Sequence, residues 1–584
     1  MFTQTFILIR WFVLSALLVF GAYLQAGQYI TPKEHPVIQK TLKQYLTHYS
    51  ADEVVKIWVY FTDKGFQTQQ GFSKALAQAR ESISARAQER RQQRGNITRW
   101  MLYDDIPVHT EYIEKILRQP GVQIHRATSR WFNGISVEVE AGAVSNLSNY
   151  PFVRSVELMR TRTRRVLEMS NVPERGFRKP STIPSVREYG LSEGQLEQIN
   201  VPTAHATGYS GEGVIVLMID TGYNTDHQVF RGNRILAEHD FIQDDDTTKN
   251  QPGDHPAQHN HGTATASILG AAVDSLLYGP AYKCKFLLAK TEIYDQEIQV
   301  EEDYYVEALE WGERLGADVA SSSLGYYDWY EFSDMDGNTA VTTRAVEKAI
   351  RLGVTVVTAA GNANDNSWGH IIAPADADSV ITVGAVDSKG MVAGFSSRGP
   401  TYDGRIKPEV VAQGVGTIFA KGTNDSTYSS SSGTSLSTPL VAGVAALLLE
   451  GHPNWSPVQV RDALMMTAGN FDMPNNDIGW GLVNAVEALC YGMKMDSGAV
   501  VSHAYPNPFN GYAFVEYTIP EDVEFNEVSF EVFNLRGQHM EIQQNRCNQC
   551  FFLWKPEANV PSGMYFYKIT AGGVTKTGKF TYVR

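Results

Sequence analysis

The pattern of hydrophobic and polar positions divides the chain into three parts with different textures. In the first part, residues 28–165, strand-like segments occur at 54–62 (VVKIWVYFT) and 134–140 (GISVEVE), and residues 73–94 are rich in strong helix formers. Mixed strand and helix signals of this kind predict an α+β domain.

The second part, residues 189–495, alternates continuous apolar runs with helical stretches. The runs lie at 214–220 (VIVLMID), 285–290 (KFLLAK) and 354–360 (VTVVTAA), and residues 301–315 have helical spacing. Strands that are apolar on both faces predict an α/β fold with a mostly parallel sheet and helices on both faces.

The last part, residues 500–584, returns to alternation, as in VSFEVFNLRG (528–537) and MYFYKITAGG (564–573). Short alternating segments separated by turn residues predict a small C-terminal β-sandwich. Between the first two parts, residues 166–188 are rich in proline and polar residues and are predicted to be a linker.

The N-terminus has the pattern of an export signal. Arg10 precedes an uncharged apolar run from Trp11 to Leu24, and the small residue Ala26 follows. This pattern predicts a signal peptide over residues 1–26, with an uncleaved membrane anchor as the alternative. No later segment is predicted to be long and apolar enough to cross a membrane.

Composition narrows the classes of partner. The chain of 584 residues has a formal net charge of −14 and no sustained basic block, which argues against nucleic acid. Its four cysteines, Cys284, Cys490, Cys547 and Cys550, are too few for a disulfide framework in an exported protein of this size. The isolated CxxC of Cys547 and Cys550 favours a local disulfide or two free thiols over zinc.

Four polar residues of the middle part lie where an apolar strand ends or a buried helix begins: Asp220, His261, Asn362 and Ser435. In open α/β sheets that edge is where sites form. Each has an ordinary alternative taken alone, since Asp220 and Asn362 also suit turns. A metal site is a further alternative for His261, because His255 and His259 lie nearby, but the loop spacing is weak evidence for zinc.

Ser435 follows Gly433 and Thr434 and starts the helix, with Pro439 predicted inside the first turn, where proline is tolerated. Free N–H groups and the positive dipole end of a helix favour an oxyanion at this position. The preceding serines at 429–432 lack such a frame and are predicted to be loop.

These stretches together resemble the subtilase family of serine peptidases. The matching motifs, VIVLMIDTG, HGTATA, SSSLG, TAAGN and SSGTSLSTPLVAGVAALL, span roughly 210–470, and Asp before His before Ser is the triad order of that family. The resemblance implies a subtilisin-like peptidase domain over 189–495 that acts as a secreted serine endopeptidase, forms an acyl-enzyme and requires no cofactor for catalysis. The alternative is a catalytically silent surface-binding protein on the same scaffold.

The resemblance also implies roles for individual residues. Asp220 would orient His261, which would take the proton from Ser435 as that residue attacks a peptide carbonyl. Asn362 would hold the oxyanion together with the Ser435 N–H. The implied substrate-binding residues are Ser323, Leu324, Gly325, Ala359, Ala360 and Gly361. Ala264 stands where the family often has a second histidine, so it receives no role.

The flanking parts resemble accessory domains of exported subtilases. Residues 27–165 resemble a propeptide that assists folding and inhibits the enzyme, ending in RTRTRR, one plausible cleavage region; a permanent accessory domain is the alternative. Residues 500–584 resemble a type IX secretion sorting domain. The implied partners are a protein or peptide substrate, the protein's own propeptide and the bacterial secretion machinery. The expected product is a monomer that is secreted or held at the cell surface.

Two acidic features stay open at this point. Residues 243–254 (QDDDTTKNQPGD) offer oxygen ligands for the structural calcium that many subtilases bind, but the spacing assigns no site. Residues 292–303 and 326–338 are acidic and rich in aromatic residues. They either favour basic substrates or are solvated loops.

Overall fold

The computed structural model describes residues 46–97, 103–159, 188–232 and 234–491, and most of 494–584 with short gaps. The predicted signal peptide, the RTRTRR segment and nearly all of the predicted linker lie outside the described residues. The side chains of Cys547 and Cys550 are also outside them. Cys490 is disulfide-bonded, and Cys284 is a buried free thiol.

The N-terminal block is an antiparallel four-stranded sheet with strand order β2-β3-β1-β4. Its elements are β1 (Val54–Phe61), α1 (Gln69–Glu81), α2 (Ala85–Arg94), α3 (Thr110–Leu117), β2 (Val122–Ser129), β3 (Gly134–Glu140), α4 (Val144–Leu147) and β4 (Val153–Met159). The helix predicted over 73–94 is two helices, because Ser84 begins a new one. Its side chain accepts the Ala87 N–H at 3.1 Å, a serine N-cap.

The middle block is built on a parallel seven-stranded sheet with strand order β13-β12-β11-β10-β5-β9-β6. Its strands are β5 (Ile215–Asp220), β6 (Ile235–Asp240), β7 (Ala272–Val273), β8 (Leu277–Tyr278), β9 (Lys285–Lys290), β10 (Val319–Ser322), β11 (Thr355–Ala359), β12 (Ile381–Val386), β13 (Val410–Gln413), β14 (Thr417–Ala420) and β15 (Tyr428–Ser431). Its helices are α5 (Glu193–Glu197), α6 (Val201–Ala206), α7 (Asn260–Gly270), α8 (Val300–Leu315), α9 (Val341–Arg351), α10 (Thr434–Gly451), α11 (Pro457–Met466) and α12 (Ala485–Leu489).

Helices cover both faces of this sheet, so each strand contributes to two cores. In β5, Val216 and Met218 pack with α7 and α10, whereas Leu217 and Ile219 pack with α8 and α9. This arrangement explains the continuous apolar runs and confirms the predicted fold class.

Helix α10 corrects one sequence prediction. By length and composition it is apolar enough to cross a membrane, yet 89% of it is buried inside the protein. It packs against α7 and strands β10 to β13. The apolar run after Ser435 therefore builds the core.

The C-terminal block has two small sheets that are antiparallel apart from the pairing of β16 with β18. Its strands are β16 (Lys494–Met495), β17 (Val501–Tyr505), β18 (Ala513–Pro520), β19 (Ser529–Asn534), β20 (Arg546–Cys547), β21 (Phe551–Trp554), β22 (Gly563–Ala571) and β23 (Val574–Tyr582). Aromatic side chains from both sheets, including Trp554, Tyr567 and Phe580, share one core. This agrees with the predicted sandwich.

Candidate active site

The carboxyl ends of three adjacent strands converge on one cavity. Asp220 ends β5, Ser323 follows β10, and Asn362 lies three residues beyond the end of β11. His261, Asn362 and Ser435 line this cavity together. The parallel sheet therefore gathers residues that are far apart in the chain.

Asp220 and His261 form the best-defined contact of the site. The His261 Nδ1 lies 2.7 Å from the Asp220 Oδ1, and the Asp220 side chain is fully buried. Burial disfavours the charged imidazolium, but the charge and hydrogen bond of Asp220 outweigh it and raise the pKa of His261. A neighbouring carboxylate thus makes the imidazole a stronger base.

Two hydroxyl residues and a glycine hold this pair. The Thr265 Oγ1 donates to the Asp220 Oδ2 at 2.9 Å, and the Thr221 N–H donates to the Oδ1 at 2.7 Å. An added Cβ at Gly262 would lie 2.2 Å from the Gly222 carbonyl oxygen, so only glycine permits this approach of helix α7. Sequence analysis missed Thr265, although it lies one turn after His261 on the same helix and so shares its face.

Ser435 is the second residue of α10. The helix begins at Thr434, so Pro439 lies in the second turn, which corrects the prediction of a first-turn proline. A proline there leaves the Ser435 carbonyl without its helical N–H donor. The Ser323 Oγ donates to that carbonyl at 2.9 Å and fills the vacancy.

The side-chain amide of Asn362 lies beside Ser435. Its Oδ1 accepts from the N–H and the Oγ1 of Thr434, at 2.8 and 3.0 Å. A Cβ built on Gly433 would lie 3.1 Å from the Ser435 Oγ and 3.5 Å from the Asn362 Nδ2, so both atoms border the same small space. Sequence analysis did not assign Thr434.

The residues predicted to bind substrate fall around the cavity with one exception. Ser323, Leu324, Gly325, Ala359 and Gly361 line it. Ala360 is fully buried and packs in a small cluster with Ile371 and Ala375 instead.

The serines before the helix differ from their prediction. Residues 429–431 belong to strand β15, which pairs with β14, and Ser432 lines the cavity. The prediction of a loop over 429–432 was wrong, because serine content carries no information about backbone pairing across the sheet.

The carboxylates of the acidic segment 243–254 make contacts within the protein. The Asp254 carboxylate pairs with the buried Lys290 at 2.8 Å, and Asp246 contacts His239. Asp245 accepts the Thr247 N–H. Among the described residues there is no group of three or more histidine, cysteine or acidic side chains placed to hold a metal ion. Calcium takes six to eight oxygen ligands, and these contacts assign no such site in the segment.

The fold and the cavity define an α/β domain in which a serine at the N-terminus of a helix shares a cavity with a histidine and an asparagine. Residues 211–481 match the subtilase family, residues 56–173 match the peptidase S8 propeptide domain of Bacteroidota, and residues 503–582 match a secretion system C-terminal sorting domain. The chain belongs to the subtilase family and is a serine endopeptidase of that family, with a propeptide and a sorting domain.

Two subtilisins agree with this assignment. A subtilisin of Bacillus pumilus is 33% identical over 286 residues, which are 48% of this chain and 90% of that protein. Subtilisin DY of Bacillus licheniformis is 34% identical over 296 residues, which are 50% of this chain and 95% of that protein. A solved protease structure from Pseudoalteromonas arctica is 26% identical, with a TM-score of 0.43, and covers 52% of this chain and 99% of that one.

Proposed function

We propose that this protein hydrolyses peptide bonds through a triad of Ser435, His261 and Asp220. The observation that carries the proposal is the cavity lined by both Ser435 and His261, the latter held by Asp220 at 2.7 Å. Each group has the chemistry its role needs: a hydroxyl nucleophile, a base with a raised pKa, and a buried carboxylate that orients the base.

In the proposed reaction the Ser435 Oγ attacks the substrate carbonyl while the His261 Nε2 takes its proton. The Asn362 Nδ2 and the Ser435 N–H donate to the oxyanion that develops on the carbonyl oxygen. His261 then protonates the leaving amine, which gives an acyl-enzyme on Ser435. A water molecule, deprotonated by His261, releases the acyl group and restores the hydroxyl.

The substrate backbone is proposed to lie along residues 323–325, beyond the end of β10, as an added strand. Ala359 and Gly361 would form a wall of the pocket for the side chain before the cut, and Ala360 would support that wall from behind. These groups perform every step with protein side chains and water. We therefore propose that catalysis requires no metal or other cofactor.

Processing and export complete the proposal. We propose removal of a signal peptide over 1–26, a propeptide over 27–165 joined by a linker at 166–188 to a peptidase domain over 189–495, and a sorting domain over 500–584. Intact-mass and size analysis of the exported protein tests these boundaries and the proposed monomer together. A mature mass that still contains residues 28–165 would replace the zymogen proposal with a permanent accessory domain.

A fluorophosphonate probe tests the triad. Processed protein is expected to be labelled on Ser435, and the Ser435→Ala variant to lose both labelling and peptide hydrolysis. The silent binding protein makes the opposite prediction: correctly folded, processed protein would take no label and cleave nothing.

A further inference from the structure

Two glutamates stand in the wall of the proposed active-site cavity. Glu292 and Glu297 line it together with His261 and Ser435. Glu292 follows strand β9 by two residues and is only 7% exposed. A nearly buried carboxylate in an active-site wall needs an explanation, because burial of a charge is costly unless it is paired.

Hydrogen bonds hold the loop that carries these two glutamates. The Glu301 carboxylate accepts the Ile293 N–H at 2.8 Å and the Ile298 N–H at 2.9 Å, which closes the loop at both ends. The Gln258 Oε1 accepts the Tyr294 N–H at 2.9 Å. Glu292 and Glu297 are therefore held at the cavity before substrate arrives.

Among the described residues, no lysine or arginine pairs with either glutamate. Glu292 accepts a hydrogen bond from the Tyr326 hydroxyl, and neither residue forms an ion pair with a lysine or arginine in the described part of the chain. The charges that act on them are other carboxylates, among them Glu301 on Glu292 and Asp328 on Glu297. The cavity wall thus brings carboxyl groups together without a lysine or arginine beside them in the described part of the chain.

Burial and these like charges make the ionised forms unfavourable. Burial is the larger cause, and it raises the pKa of Glu297 to about 8 and that of Glu292 well above its usual range. A cation entering the cavity would favour ionisation of both groups. The wall is therefore complementary to a positive charge, which no lysine or arginine of the described residues supplies.

We propose that Glu292 and Glu297 are specificity-determining residues that make the enzyme select substrates with a lysine or arginine side chain close to the scissile bond. The cation would come from the acyl side of the substrate, because the cavity also contains residues 323–325, where that strand is proposed to lie. This inference rests on the proposed function and names its substrate class.

A metal ion fits the same wall less well. Cations such as calcium need six or more oxygen ligands, and no group of three or more potential ligands occurs in the described parts of the chain. A primary ammonium or guanidinium needs only one or two carboxylates, which is what the wall offers.

The test compares two fluorogenic peptides that differ only in lysine against norleucine, which has nearly the same length but no charge. The mature enzyme should cleave the lysine peptide with a kcat/KM at least about tenfold higher, the effect of one charged hydrogen bond. Measurement above pH 8 keeps Glu297 ionised. An equal or higher kcat/KM for norleucine overturns the inference.

Substitutions of the two glutamates test whether they cause the preference for lysine over norleucine. The Glu297→Gln and Glu292→Gln substitutions should each lower the lysine-to-norleucine ratio, mainly through KM. The control is Asp295→Asn, which removes the same charge from an exposed position of the same loop that does not line the cavity, and should leave the ratio unchanged. A ratio that falls equally in Asp295→Asn would overturn the assignment to the wall.

Failure of this inference is distinguishable from failure of the proposed function. If norleucine and lysine peptides are cleaved equally while Ser435 takes the fluorophosphonate probe, the triad stands and the specificity does not. If neither peptide is cleaved and the probe does not react, the proposed function itself fails.

Discussion

The side-chain amide of Asn362 has its two ends in different surroundings. Its oxygen is tied to Thr434 by two hydrogen bonds, whereas its nitrogen borders the space beside the Ser435 Oγ. Because the oxygen must face the two donors, the NH₂ group is directed by the scaffold and would need no reorganisation during the proposed reaction. Preorganised donors of this kind are often the largest single source of rate enhancement.

Replacing Asn362 should therefore damage turnover more than binding. We expect Asn362→Ala to lower kcat by about a hundred- to thousandfold, since one oxyanion donor is lost, with a small change in KM. Steady-state kinetics on a fluorogenic peptide measures both constants.

The control for this prediction is Asn364→Ala. The Asn364 Nδ2 donates to the Gly394 carbonyl and does not line the cavity, so kcat should stay near that of the unmodified enzyme. A similar kcat for Asn362→Ala and the unmodified enzyme would contradict the proposed role.

At the scale of single residues, the sequence predicted the site residues that mark the ends of strands or the start of a helix. It missed the residues whose role depends on how the elements pack. Asp220, Asn362 and Ser435 are detectable because each marks the end of a strand or the start of a helix. Thr434 is not, because its hydroxyl matters only once α10 lies beside the loop after β11. Sequence analysis identified Glu292 only as part of an acidic stretch, because no sequence pattern indicates that its side chain lines the cavity.

At the scale of elements, helix α2 is the most unusual part of the propeptide. Its arginines at positions 86, 90, 91 and 94 share one face, and three of the four are buried. Arg91 contacts Glu313 of α8 at 2.6 Å and Asp105 of the propeptide at 2.8 Å. Burial alone would raise the pKa of Glu313, but the charges of Arg90 and Arg91 outweigh it and lower that pKa. The helix therefore docks through a buried ionic network.

Breaking this network should loosen the propeptide. In a Ser435→Ala chain, which lacks the proposed nucleophile, we expect Arg91→Ala to lower the free energy of unfolding by about 3–5 kcal/mol, because Glu313 and Asp105 lose a buried partner. Thermal and denaturant unfolding measure the change.

Arg118→Ala is the matched control in the same background. Arg118 pairs with Glu114 on the exposed surface of α3, where an ion pair contributes about 0–1 kcal/mol. Equal destabilisation by the two substitutions would show that the buried network contributes no more to the free energy of unfolding than an exposed ion pair.

The elements themselves were largely predictable where periodicity is strong. Strands β5, β9 and β11 and helix α8 appear within one or two residues of their predicted bounds. The split of residues 73–94 was missed because helix propensity does not reveal that Ser84 caps a second helix. Strand β15 was missed because its serines pair with β14 through backbone groups, which any side chain allows.

At the scale of the whole molecule, the propeptide sheet lies on helices α8 and α9 of the peptidase domain. Trp58 and Tyr60 of the propeptide share a core with Tyr305 and Leu309 of α8. Polar contacts add to this: the Ser136 hydroxyl donates to Asp303 at 2.6 Å. The two domains thus bury acidic residues of α8 between them.

These buried carboxylates predict that the propeptide is held more weakly as pH rises. Burial raises the pKa of Asp303 to about 7 and that of Glu307 to about 8 in the docked state. Release returns both to water and lowers their pKa, so the docked state binds more protons. Its stabilisation is complete at low pH and is lost as the pH rises through about 7 to 8.

Hydrogen exchange of α8 in the Ser435→Ala chain measures this effect. Protection should fall between about pH 5 and about pH 9, after correction for intrinsic exchange rates. An Asp303→Asn, Glu307→Gln double variant should show a flatter dependence. Stronger protection at high pH in the parent chain would contradict the prediction.

Arg90 of the propeptide links the C-terminal ends of two helices of the peptidase domain. Its guanidinium donates to the carbonyls of Glu313 at the end of α8 and of Leu352 just after α9, across 223 and 262 residues of chain. During synthesis the N-terminal part emerges and folds first. We therefore expect Arg90 to be in place on helix α2 before α8 and α9 fold, wherever folding takes place, and to offer their last carbonyls a common anchor. These contacts predict that the propeptide helps the two helices of the peptidase domain to reach their final positions.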